Sequence, residues 1–273
     1  MALLAHPDPI VALLIAACFA LLAYLLRMLS RSGAVTTLAM GFLIYWLGGW
    51  KFTIPLLTFF LSSSILSRLR PKGKRKAEAL VAKGSQRDFA QVLANGGVAT
   101  LFVVLFGLLG RSVSLPILRT LLICFTASLA TMNADTWATE IGTLSKVRPR
   151  QLRDWGEAPA GVSGAVSWVG SMGAVGGAVL VISAGHLLWH FDMLEWIALI
   201  WGSLLGCLSD SMLGAWLQVQ FAGKGGTIVE TALPGTRPLR GVRWVSNDVV
   251  NFLASLIGAV ISGAMMLLVG KFQ

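Results

Sequence analysis

Long apolar runs separated by short polar segments dominate the pattern of this chain. Runs of roughly 15 to 24 mostly apolar residues have the length that a helix needs to cross a bilayer. They occupy residues 10–26, 34–50, 53–67, 89–109, 115–132, 162–184, 196–219 and 249–269. The pattern predicts an all-α, polytopic transmembrane helix bundle of about eight helices. The range is six to nine, because the second and third runs are short enough to form one re-entrant pair.

Composition excludes the other broad classes of protein. The chain is 56% hydrophobic and only 12% charged, whereas a soluble domain carries about 25% charged residues. So little charge cannot cover a soluble surface, and so much apolar character does not fit a disordered chain. The three cysteines are an odd number, and each lies inside an apolar run, which excludes a disulfide scaffold.

The basic residues orient the predicted helices. With the N-terminus outside, 18 of the 22 lysines and arginines fall in the first short loop or in the long loops 68–88, 133–161 and 220–248. The positive-inside rule therefore places the long loops in the cytoplasm. Basic loops beside an anionic leaflet account for the net charge of +10 without a nucleic acid partner. Turn residues Pro234 and Gly235 predict a small hairpin in the last loop.

The chain is predicted to be a single membrane domain, residues 1–273. No transit peptide is evident before the first apolar run, which favours a prokaryotic inner membrane, with a thylakoid membrane as the alternative. A short pattern also occurs twice. Ser-Leu, five further residues and then Asp and a hydroxyl residue end at Asp135 and again at Asp210. This match predicts a weak internal repeat of residues 89–142 and 162–219.

Polar residues collect at one depth, near the predicted cytoplasmic face. Asp135 and Glu140 follow the fifth run, Asp210 lies inside the seventh, and Asn95 and Asn251 lie in the fourth and eighth. Ionisable groups are costly in a bilayer, so their convergence predicts one polar pocket. Two carboxylates with amide neighbours suit Mg²⁺. A helix-end hydrogen bond for Asp135 and an interhelical hydrogen bond for Asp210 are the structural alternatives.

Two further features bear on this pocket. Asp135 and Glu140 are five residues apart, about 140° around a straight helix, so they share one ion only if the helix ends or bends there. Lys83 and Arg87 flank small residues before a helix N-terminus, which is typical of an anion site. The alternative for these two basic residues is that they only set the membrane topology.

Several segments together resemble one family. They are 83–87 (KGSQR), 91–97 (QVLANGG), 133–142 (NADTWATEIG), Gly202-Ser203, Asp210-Ser211, Gly214-Ala215, Gln218 and 247–252 (NDVVNF). The chain resembles, from about residue 33 to residue 268, the integral membrane domain-of-unknown-function 92 family. Plant and cyanobacterial members of that family include phytyl-phosphate kinase.

The resemblance implies an enzyme that transfers the γ-phosphate of a nucleoside triphosphate, with CTP favoured, to an isoprenyl monophosphate. The product would be a prenyl diphosphate such as phytyl or geranylgeranyl diphosphate. Asp135, Asp210 and Glu140 are the predicted catalytic and Mg²⁺-binding residues. The predicted nucleotide- and substrate-binding residues are Lys83, Ser85, Gln86, Arg87, Asn95, Asn133, Thr136, Thr139, Ser145, Lys146, Ser211, Gln218, Asn247 and Asn251.

Two other functions fit the same residues. A cation- or proton-coupled secondary transporter would also carry membrane aspartates and glycine-rich helices, but its polar groups are expected near the midplane. A lipid cytidylyltransferase would share CTP and Mg²⁺ and would release pyrophosphate. The partners predicted from sequence are therefore the lipid membrane, a nucleoside triphosphate and an isoprenyl phosphate.

Overall fold

The computed structural model describes residues 7–69, 86–110, 112–159, 161–223, 228–230, 232 and 236–269. Within these ranges the chain forms seven helices and five short strands. The helices are α1 (Pro9–Leu25), α2 (Arg31–Arg68), α3 (Phe89–Leu109), α4 (Leu115–Gly142), α5 (Trp168–Trp189), α6 (Met193–Trp216) and α7 (Asn247–Val269). Six of them, α2 to α7, are long and apolar enough to span a membrane, and α1 is a shorter apolar helix. The predicted polytopic helical bundle is confirmed.

The second and third apolar runs form the single element α2, which is broken at Gly49. Gly49 has φ +68° and ψ −169°, values outside the helical region. A straight helix of 38 residues would be about 57 Å long. Instead, the two ends of α2 lie close together. The guanidinium of Arg68, the last residue of α2, donates to Leu26 O, just before the helix begins. Beside them, the N–H of the N-cap residue Ser30 donates to Arg87 O. The chain therefore reverses at Gly49, and each half rises roughly 27 Å.

These contacts define two ends of the bundle. The loop side carries the ends of α2, the Leu29–Arg87 bridge and the described parts of the long loops. The turn side carries Gly49, with Pro7 beside it, and the short connections that follow α3 and α5. Every helix from α3 to α7 runs from one side to the other, which reproduces the alternation that the charge pattern predicts.

Helix α4 is the centre of the bundle. It packs against α2, α3, α5, α6 and α7, and its most extensive contact is with α5. Small residues let α5 approach closely, because a Cβ on Gly177 would lie only 2.7 Å from Asn133 O. The side chains of α4 are buried almost without interruption from Leu122 to Ala134. Residues of α4 therefore face several neighbouring helices, depending on where they lie around its axis.

The helix ends differ from the sequence prediction. Helix α4 continues to Gly142, ten residues beyond the predicted end at residue 132. Polar residues such as Asn133 end the apolar run. Asn133 is nevertheless buried among the other helices and does not face lipid, so the helix continues. Helix α5 begins at Trp168 and not at residue 162, and α6 ends at Trp216 and not at residue 219. Residues 165–166 form a strand of the loop side instead, and a further strand begins at residue 220, shortly after α6 ends.

The loops carry two small sheets. Strands β1 (Arg150–Gln151) and β2 (Ala165–Val166) form an antiparallel pair. Strand β3 (Gln220–Ala222) lies between β4 (Ile228–Val229) and β5 (Arg237–Arg240), antiparallel to both. The predicted simple hairpin is therefore wrong in its pairing, because β3 separates the two strands on either side of the turn. Pro234 and Gly235 themselves lie outside the described residues.

The turn side is held by an aromatic cluster and an ion pair. The Phe52 ring lies 4.9 Å from the rings of Phe106 and Phe125 and 5.1 Å from that of Trp189. Arg119 Nη2 donates to Glu195 Oε2 at 2.7 Å and to Trp189 O at 3.0 Å. Since Glu195 is buried, this arginine fixes the α5–α6 turn onto α4.

Candidate functional site

Three acidic side chains come together on the loop side of the bundle. Asp135 is on α4, Asp210 is on α6, and Glu230 directly follows β4. All three are half-buried, and their charges lie within electrostatic range of one another. Among the described residues, no basic side chain lies within ion-pair distance of them. The predicted pairing of Asp135 with Asp210 thus has a geometric basis.

An amide on α7 extends this cluster toward α3. With its nitrogen turned to the carboxylate, the Asn251 side chain donates to Asp210 Oδ2 at 2.9 Å and to Asn247 O at 3.2 Å. In the opposite orientation it donates to Asn95 Oδ1 at 3.4 Å. The amide of Asn95 is in turn anchored on its own helix, where Nδ2 donates to Gln91 O at 2.8 Å. Of the predicted residues, Asn251 therefore contacts Asp210, and Asn95 and Asn247 contact Asn251.

The cluster has a tightly packed floor on its turn side. Thr131 and Gly206 lie one helical turn from Asp135 and Asp210, and Gly258 of α7 lies between them. A Cβ on Gly206 would stand 2.8 Å from Thr131 Cγ2 and 2.9 Å from Gly258 Cα. The backbones of α6 and α7 therefore meet directly below the acids, with the Thr131 side chain of α4 packed against both, and the cluster faces the loops.

Glu140 lies apart from the acidic cluster. Helix α4 stays regular through Gly142, so Glu140 and Asp135 point to different sides of it. The carboxylate of Glu140 accepts a hydrogen bond from Ser67 Oγ at 2.8 Å. It also interacts with the charge of Arg87, whose guanidinium lies 5.4 Å from the Phe60 ring. The predicted sharing of one ion by Asp135 and Glu140 needed a bend or an end in the helix, and neither is present.

Arg87 is held in a partly apolar position at the start of α3. Burial lowers the pKa of its guanidinium to about 10, although the neighbouring charge of Glu140 acts in the opposite direction. Arg87 therefore keeps its positive charge at neutral pH. Gln86 is half-buried beside it, whereas the predicted anion-site residues Lys83 and Ser85 lie outside the described residues.

Asn133 joins three helices through its side chain. Its Oδ1 accepts hydrogen bonds from Ser62 Oγ at 2.9 Å and Ser63 Oγ at 3.0 Å, and its Nδ2 donates to Gly177 O at 2.8 Å. The side chain is fully buried. These contacts give Asn133 a clear packing role, since they tie α4 to the second half of α2 and to α5.

The remaining predicted residues lie in four different places. Thr136 and Ser211 are half-buried next to the two aspartates, and the Thr136 hydroxyl donates to Met132 O at 2.9 Å. Gln218 is buried, and no hydrogen-bond partner for its amide lies among the described residues. Thr139 is exposed on α4. Ser145 and Lys146 line a shallow surface pocket in the loop between α4 and α5, together with Arg148 and Glu157.

The acids fit a divalent cation that takes only part of its coordination shell from the protein. The described histidines, cysteines and acids provide no set of three side chains that could hold a metal ion alone. Mg²⁺, however, commonly takes one or two carboxylates and completes its shell with water and substrate phosphates. Asp135 and Asp210, with no basic partner among the described residues, match that pattern. They do not match an all-protein metal cage.

Sequence reasoning missed Glu230. This residue lies in a loop that is otherwise rich in basic residues, and no periodicity connects it to a helix face. Its Oε1 accepts a hydrogen bond from the Ser163 N–H at 2.9 Å, which links the last two loops. The one available signal was an isolated acid between two short β-prone runs.

The comparisons with known proteins agree with the fold. The sequence pattern of the family described as integral membrane protein DUF92 matches residues 14–259. An uncharacterized membrane protein of Methanocaldococcus jannaschii is 28% identical over 253 residues, 92% of this chain and 91% of that protein. Protein PGR of Arabidopsis thaliana is 29% identical over 272 residues, 91% of this chain and 92% of its own length. No solved structure matches the chain. The chain is an integral membrane protein that belongs to the DUF92 family.

Proposed function

We propose that this protein is a membrane kinase that phosphorylates an isoprenyl monophosphate with a nucleoside triphosphate, CTP being the first donor to test. The observation that carries the proposal is the cluster of Asp135, Asp210 and Glu230 on the loop side, bordered by Asn251 and Asn95. A soluble nucleotide and a lipid headgroup can meet only near one face of a membrane. Most of the described basic residues lie on the loop side, so we place it in the cytoplasm.

The reaction asks for positioning and charge neutralisation. An oxygen of the acceptor phosphate attacks the γ-phosphorus, the bond from that phosphorus to the β-bridging oxygen breaks, and a nucleoside diphosphate leaves. The attacking group is already ionised, so the site needs no strong base. Asp135 and Asp210 would hold Mg²⁺, which when bound supplies positive charge to the phosphate oxygens. Asn251, fixed against Asp210, would orient one of the phosphates.

The packing below the acids supports an enzyme over a transporter. An alternating-access transporter needs a route past its binding site to the other side of the membrane. Here Thr131, Gly206 and Gly258 close the bundle one turn from the acids. A rearrangement of three closely packed helices would be needed to open that route.

A transfer assay on the purified full chain tests the proposal. It contains Mg²⁺, phytyl or geranylgeranyl monophosphate and CTP or ATP labelled at the γ-phosphate. We expect labelled prenyl diphosphate with wild type, none with Asp135→Asn and normal yield with Glu157→Gln, an exposed acid of a neighbouring loop. Membrane insertion of Asp135→Asn is expected to be unchanged, because Asn preserves the side-chain volume.

Three results would count against the kinase. Near-normal turnover of Asp135→Asn would remove the proposed role of that carboxylate. Transfer of label from the α-phosphate of CTP, together with pyrophosphate release, would identify a cytidylyltransferase instead. An absence of label transfer with several chain lengths and both nucleotides would favour the transporter.

A further inference from the structure

Glu230 is an acid that a loop strand carries into the site. It follows β4, whose Val229 is in register with Phe221 of β3. Strand β3 begins four residues after the end of α6, the helix that bears Asp210. A backbone ladder therefore fixes the position of Glu230 relative to α6. The surrounding loop is otherwise basic, so this one carboxylate is not part of a generally acidic surface.

The Glu230 side chain is held by one contact that leaves its charge uncompensated. Its Oε1 accepts the Ser163 N–H at 2.9 Å, and among the described residues no cation pairs with it. It lies within electrostatic range of both Asp135 and Asp210. Three like charges repel one another, so the arrangement becomes more favourable when a cation or protons are bound.

A second observation, close to the residue that holds Glu230, points to a ligand there. Gln218 lies two residues after Trp216, the last residue of α6, and its side chain is 2% exposed. Both Nε2 and Oε1 of its amide have no hydrogen-bond partner among the described residues. Its Oε1 stands with Ser163 Cβ and Gly164 N around Gly214, each within 3.6 Å of the point where a Cβ of Gly214 would lie. A buried amide with both groups unpaired is costly, and a polar ligand such as the hydration shell of a cation would pair it.

We propose that Glu230 is a positioning residue of the acidic site that strengthens the binding of a divalent cation by Asp135 and Asp210 through its charge, from outside direct contact with the ion. Among the described acids, histidines and cysteines, no three side chains are placed to hold one ion together, so we assign Glu230 a role outside direct contact with the ion. The Ser163–Glu230 hydrogen bond fixes where the charge stands. This inference rests on the proposed function and adds one residue to its site.

The test separates charge from the loop contact. Binding of Mn²⁺ to the purified full chain in detergent is measured by electron paramagnetic resonance, without any substrate. Glu230→Gln removes the charge but keeps an oxygen that can accept the Ser163 N–H, whereas Glu230→Ala removes both. We expect both variants to bind Mn²⁺ about tenfold more weakly than wild type, as groups outside direct metal contact commonly do when changed. Glu157→Gln, an exposed acid paired with Arg148 at 3.4 Å, is expected to bind as wild type does.

The outcomes distinguish a failure of this inference from a failure of the proposed function on which it rests. If Glu230→Gln binds Mn²⁺ as wild type does, Glu230 has no charge role, and the inference is wrong even if Glu230→Ala is weakened. If wild type binds but Asp135→Asn does not, the cation site of the proposed function stands whatever Glu230 does. If wild type binds no Mn²⁺, both the cation site and the inference fall. Should Glu230→Ala fail to fold, Glu230→Gln decides alone.

Discussion

At the scale of single residues, Gly49 shows how one backbone conformation sets the course of the chain. Its φ of +68° and ψ of −169° lie in a region that is essentially restricted to glycine. Gly41 lies in the same element with helical geometry, and a Cβ there would meet only Ala16 Cβ, at 3.6 Å. The two glycines of α2 thus differ in backbone conformation: Gly49 adopts one that other residues avoid, and Gly41 adopts an ordinary helical one. Both nevertheless belong to the same apolar run.

We predict that Gly49→Ala lowers the free energy of unfolding by about 1 to 3 kcal/mol, because an L-residue is strained in this conformation. Gly41→Ala is the matched control and should be neutral or slightly stabilising, since alanine favours a helix. The measurement is thermal or denaturant unfolding of both variants in the same detergent. Equal stability of the two variants would show that the reversal of α2 does not depend on Gly49.

The site residues show which part of this chemistry a sequence can reveal. The sequence predicts that four polar residues converge: Asp135, Asp210, Asn95 and Asn251. Polar groups at one membrane depth avoid lipid, so they face the interior of the bundle together. Asn133 belongs to the same segment as Asp135, yet it contacts Ser62, Ser63 and Gly177. Which face of a helix meets which neighbour depends on packing, and the sequence pattern of one helix does not specify it.

At the scale of elements, the packing of α4, α6 and α7 determines how closely the site residues approach. A Cβ on Gly258 would overlap the Thr131 hydroxyl and stand 3.1 Å from Gly202 O. Asn251, which contacts Asp210, is on the same helix about two turns away. Any displacement of α7 at Gly258 therefore also moves the amide that borders the acids.

We predict that Gly258→Ala lowers the free energy of unfolding by about 1 to 3 kcal/mol, as overpacking does in a close interface. The same change should reduce prenyl phosphate kinase turnover, because Asn251 shifts away from Asp210. Gly176→Ala is the control, since its Cβ would meet only the Trp137 ring, at 3.6 Å. Unfolding in detergent and the transfer assay measure the two effects. Unchanged values for Gly258→Ala would mean that α7 can move without consequence for the site.

The helices illustrate what hydropathy predicts and where it fails. A bilayer requires long apolar runs, so the number and order of the helical segments follow from the sequence. The end of α4 does not, because polar side chains interrupt the apolar run after residue 132, and two of these, Asn133 and Glu140, are buried inside the bundle. The start of α5 was also placed too early, since residues 165–166 form a strand that pairs with Arg150 and Gln151. Local hydropathy does not register such pairings between distant segments.

At the scale of the whole molecule, the bundle is asymmetric across the membrane. The turn side ends in short connections, an aromatic cluster around Phe52 and the Arg119–Glu195 ion pair. The loop side carries the acids, the two small sheets and most of the basic residues that the structure describes. Between them lies the close packing of Thr131, Gly206 and Gly258. This arrangement indicates that the acids can be reached from one side only.

We predict that a thiol beside the acids reacts from the loop side alone. Ser211→Cys, in a background with Cys18, Cys124 and Cys207 changed to serine, is exposed to a membrane-impermeant thiol reagent in vesicles of both orientations. Glu157→Cys reports the loop side, and Ser112→Cys, in the turn between α3 and α4, reports the other side. Ser211→Cys should react in the same vesicles as Glu157→Cys and be spared where Ser112→Cys reacts, because the helices close below Asp210. Reaction from both sides would contradict the closed floor and would favour alternating access, the behaviour of a transporter, over a kinase whose substrates meet at one face.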